Sequence, residues 1–158
     1  DWQYVGDAVT RTTDEDQNVI STETQDVDGG KVGDAAQFTA GLGIDMKLGE
    51  NVSFDTDIRF YDELYSDVGA VKENLLLPSF HVWDAGLSYK MYLGADDEKS
   101  LNIRVNVNNV SDAVYLSELR TNIAAGEGSG ELYNGIDTAN QGYFGLGRTW
   151  NVGLRYKF

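Results

Sequence analysis

Few side chains in this sequence are of the types that carry out chemistry at neutral pH. The 158 residues hold one histidine, His81, one proline and no cysteine, which excludes a thiol nucleophile, a disulfide framework and a zinc–thiolate cluster. A catalytic triad sets a histidine between a nucleophile and a carboxylate, and no motif puts either beside His81. His81 is therefore read as a residue near a strand end, with no catalytic role. Asp14-Glu15-Asp16 and Asp26-Val27-Asp28-Gly29 are rich in oxygen ligands, and the second is similar to the opening of a calcium loop. The bidentate acid that completes an EF-hand is missing, so both are expected to be solvated acidic loops, and no metal or cofactor site is assigned. The net charge of −14 argues against nucleic acid as a partner, because phosphate-tracking surfaces are basic.

What remains is charge in a regular pattern. Lys47, Arg59, Lys90, Arg104, Arg155 and Lys157 are half of the chain's 12 basic residues, and together with Asp45, Asp55, Asp57 and Asp84 they fall at alternating positions in apolar stretches. A period of two puts successive side chains on opposite faces of a strand. Phe38, Ala40, Leu42, Ile44, Met46 and Leu48 make one apolar face, and Val52, Phe54, Thr56, Ile58 and Phe60 continue it after a short turn at Gly49-Glu50-Asn51. Trp83 to Leu93 and Leu101 to Val107 form a second hairpin across Gly94 to Lys99. Outer strands are expected to carry Trp2, Tyr4, Gly6 and Ala8 at one end, and Trp150, Val152, Leu154, Tyr156 and Phe158 at the other. The pattern predicts six antiparallel strands.

The short turns alternate with long connections rich in Gly, Asp, Asn, Ser and Glu, near Thr13 to Asp34, Asp62 to Ser79 and Asp112 to Gln141. In an up-and-down sheet this gathers the long connections at one end, as in outer-membrane barrels. No stretch approaches the roughly 18 apolar residues of a spanning helix, but a spanning strand needs only about 9–11 residues with every second one apolar. Aromatic residues are expected in two girdles: Trp2, Tyr4, Tyr89, Tyr92, Tyr156 and Phe158 at the periplasmic ends, and Phe60, Tyr61, Tyr65, Phe80, Trp83 and Trp150 at the other. A lysine or arginine facing lipid near the midplane would cost about 2–4 kcal/mol, so the charged set is assigned to the lumen, with cross-strand ion pairs as its simplest role. A soluble sandwich or closed barrel is the alternative that also alternates.

The last residues, Asn151-Val152-Gly153-Leu154-Arg155-Tyr156-Lys157-Phe158, resemble the C-terminal assembly signal of outer-membrane proteins. A polar Asn151 and Gly153 precede apolar residues that alternate through Tyr156 to Phe158. That resemblance implies recognition by the barrel assembly machinery through strand addition. Val107-Asn108-Asn109-Val110-Ser111-Asp112-Ala113-Val114-Tyr115 and Gly142-Tyr143-Phe144-Gly145-Leu146-Gly147-Arg148-Thr149-Trp150 are similar to the segments leading to the final strand of TonB-dependent receptors, although Val110-Ser111 stands where that family usually has Leu-Phe. The three motifs cover about a third of the chain.

The resemblance, which includes the SusC-like branch, implies that residues 1–158 are the C-terminal part of a 22-stranded transmembrane β-barrel, an all-β, antiparallel, up-and-down fold. Plug, TonB-binding segment and signal peptide would lie outside this sequence. It implies an active transporter of the outer membrane that imports a scarce nutrient (siderophore, vitamin, glycan or peptide), with no enzymatic activity. The implied partners are outer-membrane lipid and lipopolysaccharide, the assembly machinery, the rest of the barrel and its plug, TonB, and in one branch a surface lipoprotein. Arg148, about one strand length from the terminus, is expected at the outer headgroups. No substrate-binding residue is assigned. A passive porin or structural barrel would share strands, girdles and terminal signal; a soluble β-sheet binding module is a third class.

Overall fold

In the computed structural model, residues 2–94 and 99–158 are described. The described chain is all-β. Its strands are β1 (Asp7–Thr13), β2 (Val19–Asp26), β3 (Phe38–Lys47), β4 (Val52–Asp62), β5 (Phe80–Leu93), β6 (Lys99–Asn108), β7 (Leu116–Leu119), β8 (Leu132–Tyr133), β9 (Ile136–Asp137), β10 (Gly142–Phe144) and β11 (Thr149–Lys157). They divide into two compact units. The sheet unit comprises Thr39–Tyr61, Ser79–Tyr115 and Phe144–Phe158; the loop unit comprises Asp1–Phe38, Asp62–Pro78 and Leu116–Tyr143.

The sheet unit is an antiparallel meander in the order β11-β6-β5-β4-β3. Its strands are 9 to 14 residues long, each enough to cross a hydrocarbon core. Register follows the alternation. Thr56, Ala85, Val107 and Trp150 form one transverse row, Phe54, Leu87, Val105 and Val152 the next, and Val52, Tyr89, Ile103 and Leu154 a third. Among the described residues of the sheet unit no second layer packs on this face. Leu42 is 66% exposed, Leu154 71% and Trp150 72%. A soluble protein seldom leaves such a continuous apolar surface open. β3 and β11 each keep one edge without a partner strand among the described residues.

The loop unit takes up much of what the sequence presents as long connections. β1 and β2 form an exposed hairpin, β8 pairs with β9, and β7 pairs with β10. Its small core is Val27, Leu64, Leu77, Leu116, Leu119 and Ile136. Close backbone approach requires glycine at two places, because a Cβ on Gly30 would lie 2.0 Å from the Val71 carbonyl and one on Gly33 2.1 Å from that of Ser66. Ser66, fully buried, shares its hydroxyl between the side-chain oxygens of Asn74 and Asn122.

Two expectations are corrected. The segment carrying Trp2, Tyr4, Gly6 and Ala8 is not a sixth strand of the large sheet. Tyr4 donates its N–H to Gly30, Gln3 bridges Lys31, and Trp2 exchanges hydrogen bonds with Gln37. Trp2 and Tyr4 therefore belong to the loop unit and not to a strand of the large sheet. Tyr61 and Phe80 are also removed from the girdle of the apolar face, because the register puts them on the polar face, where Phe80 stacks on Tyr61 at 4.9 Å and on Tyr115 at 4.2 Å. Tyr92, at an even position of β5, shares that face, and Tyr65 lies in the loop unit. The aromatic residues in register on the apolar face are Phe60, Trp83 and Trp150 toward one end and Tyr89 and Tyr156 toward the other. Of the Gly94 to Lys99 turn, residues 95–98 lie outside the described set.

Candidate functional site

The polar face of the sheet gathers the charged residues singled out in the sequence. Asp55, Asp57, Arg59, Asp84, Lys90, Arg104, Arg155 and Lys157 occupy positions of one parity in a continuous register. A Cβ at Gly43 would touch Asp57 and one at Gly41 would touch Arg59, so Asp45 and Lys47, two and four residues on from Gly43, belong to the same face.

Asp57 and Asp84 sit directly opposite each other on β4 and β5, an arrangement that like charge alone would disfavour. Arg59 resolves it. Its Nε lies 3.1 Å from Asp57 and its Nη2 hydrogen-bonds to Asp84. Two residues before Asp57 on β4, Asp55 accepts a hydrogen bond from Arg104 Nη2 across β5 at 2.8 Å. That reach is open because Gly86 lies between them; a Cβ there would come within 2.6 Å of both partners. Arg104 also donates to Asn106 at 2.7 Å and to Ser88 at 3.2 Å, so three of its donors are fixed. Asn106 in turn donates to Asn151, the first residue of the proposed assembly signal, at 2.9 Å.

At the long-connection end of this face, Asn109 is almost fully buried with a left-handed backbone, φ 51°. Its N–H donates to Asp84 at 2.7 Å, its side-chain amide donates to the carbonyls of Ala113 and Leu146, and its Oδ1 accepts from the Ala113 N–H at 2.8 Å. Asp112, also left-handed, accepts from the Arg148 N–H at 2.8 Å, with the Arg148 guanidinium 3.6 Å from its other oxygen and within reach of the Val110 carbonyl. The Asn-Asn-x-x-Asp motif and the Gly-Leu-Gly-Arg motif thus lock together, tying the end of β6 to the approach of β11. The half-exposed Arg148 side chain has a loop carboxylate as its neighbour.

His81 stands opposite Phe60 at the end of the apolar face, away from these carboxylates. Tyr156 and Leu154 share the apolar face, whereas Asn151, Gly153, Arg155 and Lys157 share the polar one; Phe158 is 92% exposed. In the loop unit the two acidic motifs turn their carboxylates onto the chain. Asp14 accepts from the N–H groups of Asn18 and Asp16, and the Asn18 bonds hold its pKa below the ordinary range. Asp26 pairs with Lys72 and accepts from the Asp28 N–H, and its pKa too is lowered, first by Lys72. Both serve as turn caps.

One feature has no sequence forecast. Asp137, 1% exposed, accepts at one oxygen from Ser129 N–H, Ser129 Oγ and Ala139 N–H at 2.8–2.9 Å, and at the other from the N–H groups of Gly126, Gly128 and Gly130 at 3.2–3.4 Å. Bonds from Ala139 and Ser129 hold its carboxyl far below the usual range. The run Gly126, Gly128, Gly130 was the available signal, since alternate glycines allow a nest of N–H groups around an anion. Asp34, Asp67 and Glu118 also approach one another, with Glu118 already paired to Arg120.

Comparison with protein-family models, curated proteins and solved structures found no match. The functional reading consequently rests on the residues and their geometry.

Proposed function

We propose that this chain is the C-terminal wall of an outer-membrane β-barrel that imports a nutrient with energy from the TonB system. The observation that supports it is the two-faced sheet, with an open apolar face banded by aromatic residues and a polar face cross-linked by ion pairs. The apolar face suits acyl chains also in its details. Trp83 donates its indole N–H to Thr56, and Thr56 donates onward to the Asp84 carbonyl, so these two polar groups in the middle of the sheet have internal partners. Hydrocarbon demands this, because it offers polar groups nothing in return. The polar face becomes the lumen wall, and the open edges of β3 and β11 are completed by further strands, since a spanning sheet must close. The transport reading adds the three sequence resemblances, with Asn151 to Phe158 as the assembly signal and Arg148 near the outer headgroups.

The test uses the full-length protein in cells. Its deletion should abolish uptake of one nutrient, and collapsing the inner-membrane proton gradient should stop that uptake in cells that carry it. Uptake that continues without the gradient would make the protein a passive porin.

A further inference from the structure

The polar face is unequal along its length. Toward the long connections, Asp55, Asp57 and Asp84 are matched with Arg104 and Arg59. Toward the short turns stand Lys47, Lys90, Arg155 and Lys157, with Asp45 two residues before Lys47 on the same face of β3, and no described carboxylate is within ion-pair distance of any of the four basic groups. Lys90 lies over the Tyr92 ring at 4.5 Å, which leaves its charge uncancelled.

Within this basic region the surface is indented. Gly153 pairs with Arg104 across β6 and β11, and a Cβ at Gly153 would meet nothing nearer than the Arg104 carbonyl at 4.0 Å. The missing side chain leaves an open depression of about 360 Å³ lined by Ser88, Asn102, Arg104, Gly153, Leu154 and Arg155. Its polar side chains are donor-rich. Arg155 brings a guanidinium with no carboxylate within ion-pair distance among the described residues, and Asn102 brings an amide. Ser88 is buried, and because its oxygen already accepts from Arg104 Nη1, its own proton is free to be donated. Arg104 is held in place by Asp55, Asn106 and Ser88, so this wall is ordered before anything binds. Among the described residues no acidic side chain lines the depression.

We propose that this depression is an oxyanion-binding site, which takes a carboxylate or phosphate group between Arg155 and the Ser88 hydroxyl. A planar guanidinium matches either group with two parallel hydrogen bonds. The proposal is independent of the transport reading, because it uses only the polar face.

The experiment follows the Gly153 amide and the Arg155 Nε–H by nitrogen-edited magnetic resonance. The full-length protein, with glycine and arginine selectively labelled, is held in maltoside micelles and titrated at constant ionic strength with inorganic phosphate and, separately, with succinate against chloride. Saturable shifts at both positions are expected. Saturation by phosphate alone, by succinate alone or by both assigns the oxyanion class, and each supports the site. Arg155→Gln should weaken the apparent affinity about 10- to 100-fold, the worth of one charge-assisted hydrogen bond. Gly153→Val, which has room for its side chain, should abolish saturation while β6–β11 cross-strand contacts persist. Lys47→Gln, remote from the depression, should leave it unchanged. Linear drift no larger than that with chloride, or saturation that survives Arg155→Gln, overturns the proposal.

Discussion

Replacing Asn109 with alanine removes the residue that ties β6 to the approach of β11, and the structure sets the cost. Three well-formed side-chain hydrogen bonds disappear, to the Ala113 carbonyl at 2.9 Å, the Leu146 carbonyl at 3.1 Å and the Ala113 N–H at 2.8 Å. At about 1 kcal/mol each they amount to about 3 kcal/mol. The backbone at φ 51° adds about 1 kcal/mol, because alanine lacks the tolerance of asparagine for the left-handed region. The expected loss is thus about 4 kcal/mol. Asn109→Gly separates the two contributions, since glycine forfeits the hydrogen bonds but tolerates the backbone, and it should cost about 1 kcal/mol less than alanine. Equilibrium unfolding in detergent can be followed by Trp83 fluorescence, because the Trp83 carbonyl accepts from the neighbouring Val110 N–H. A cost below about 1 kcal/mol for Asn109→Ala, or a glycine variant no better than alanine, would refute the reasoning.

Gly33→Ala should loosen the loop unit by about 1–3 kcal/mol, since its Cβ meets the Ser66 carbonyl at 2.1 Å, and faster amide exchange at Ser66 is the readout. Asp137 has a depressed folded pKa, so its stabilisation is complete above the ordinary aspartate value of 3.8 and erodes as pH falls below it. Exchange at Ser129 and Ala139 should therefore accelerate in acid, and Asp137→Asn should be loosened already at neutral pH with that acid dependence gone. In the full-length protein, deleting Phe158 or replacing Tyr156 with Asp should lower the amount in the outer membrane. Affinity per folded molecule should stay the same; normal abundance with lost binding would place this strand in a ligand site instead.

The sheet strands were legible because a period of two is backbone geometry, and alternation from Phe38 to Lys47 or from Thr149 to Lys157 leaves one assignment of faces. Charges on the polar face could be named for the same reason. Their partners could not, because the pairing of Arg104 with Asp55 across Gly86 depends on the register of three strands. The N-terminal error has a different cause. Trp2, Tyr4, Gly6 and Ala8 alternate too briefly to say which strand they would pair with. Val19, Ile20, Thr22 and Thr24 were passed over as loop although β-branched residues favour strands, and they lie in β2, which pairs with β1. The Asn109 and Asp112 lock was visible only as a family resemblance, because a left-handed asparagine has no periodic signature. Asp137 lay hidden because the glycines it gathers are 7 to 11 residues away.

The central claim is that one face of the sheet meets lipid and the other water. Residues 1–158 lack cysteine, so in the full-length protein, with any cysteine outside them replaced, single-cysteine spin labels can be placed one at a time from Thr39 to Lys47. In reconstituted bilayers, labels at Ala40, Leu42, Ile44 and Met46 should collide mainly with oxygen dissolved in the acyl chains, and those at Gly41, Gly43, Asp45 and Lys47 mainly with a water-soluble paramagnetic reagent. Uniform access of the water-soluble reagent to all of these positions would contradict the account.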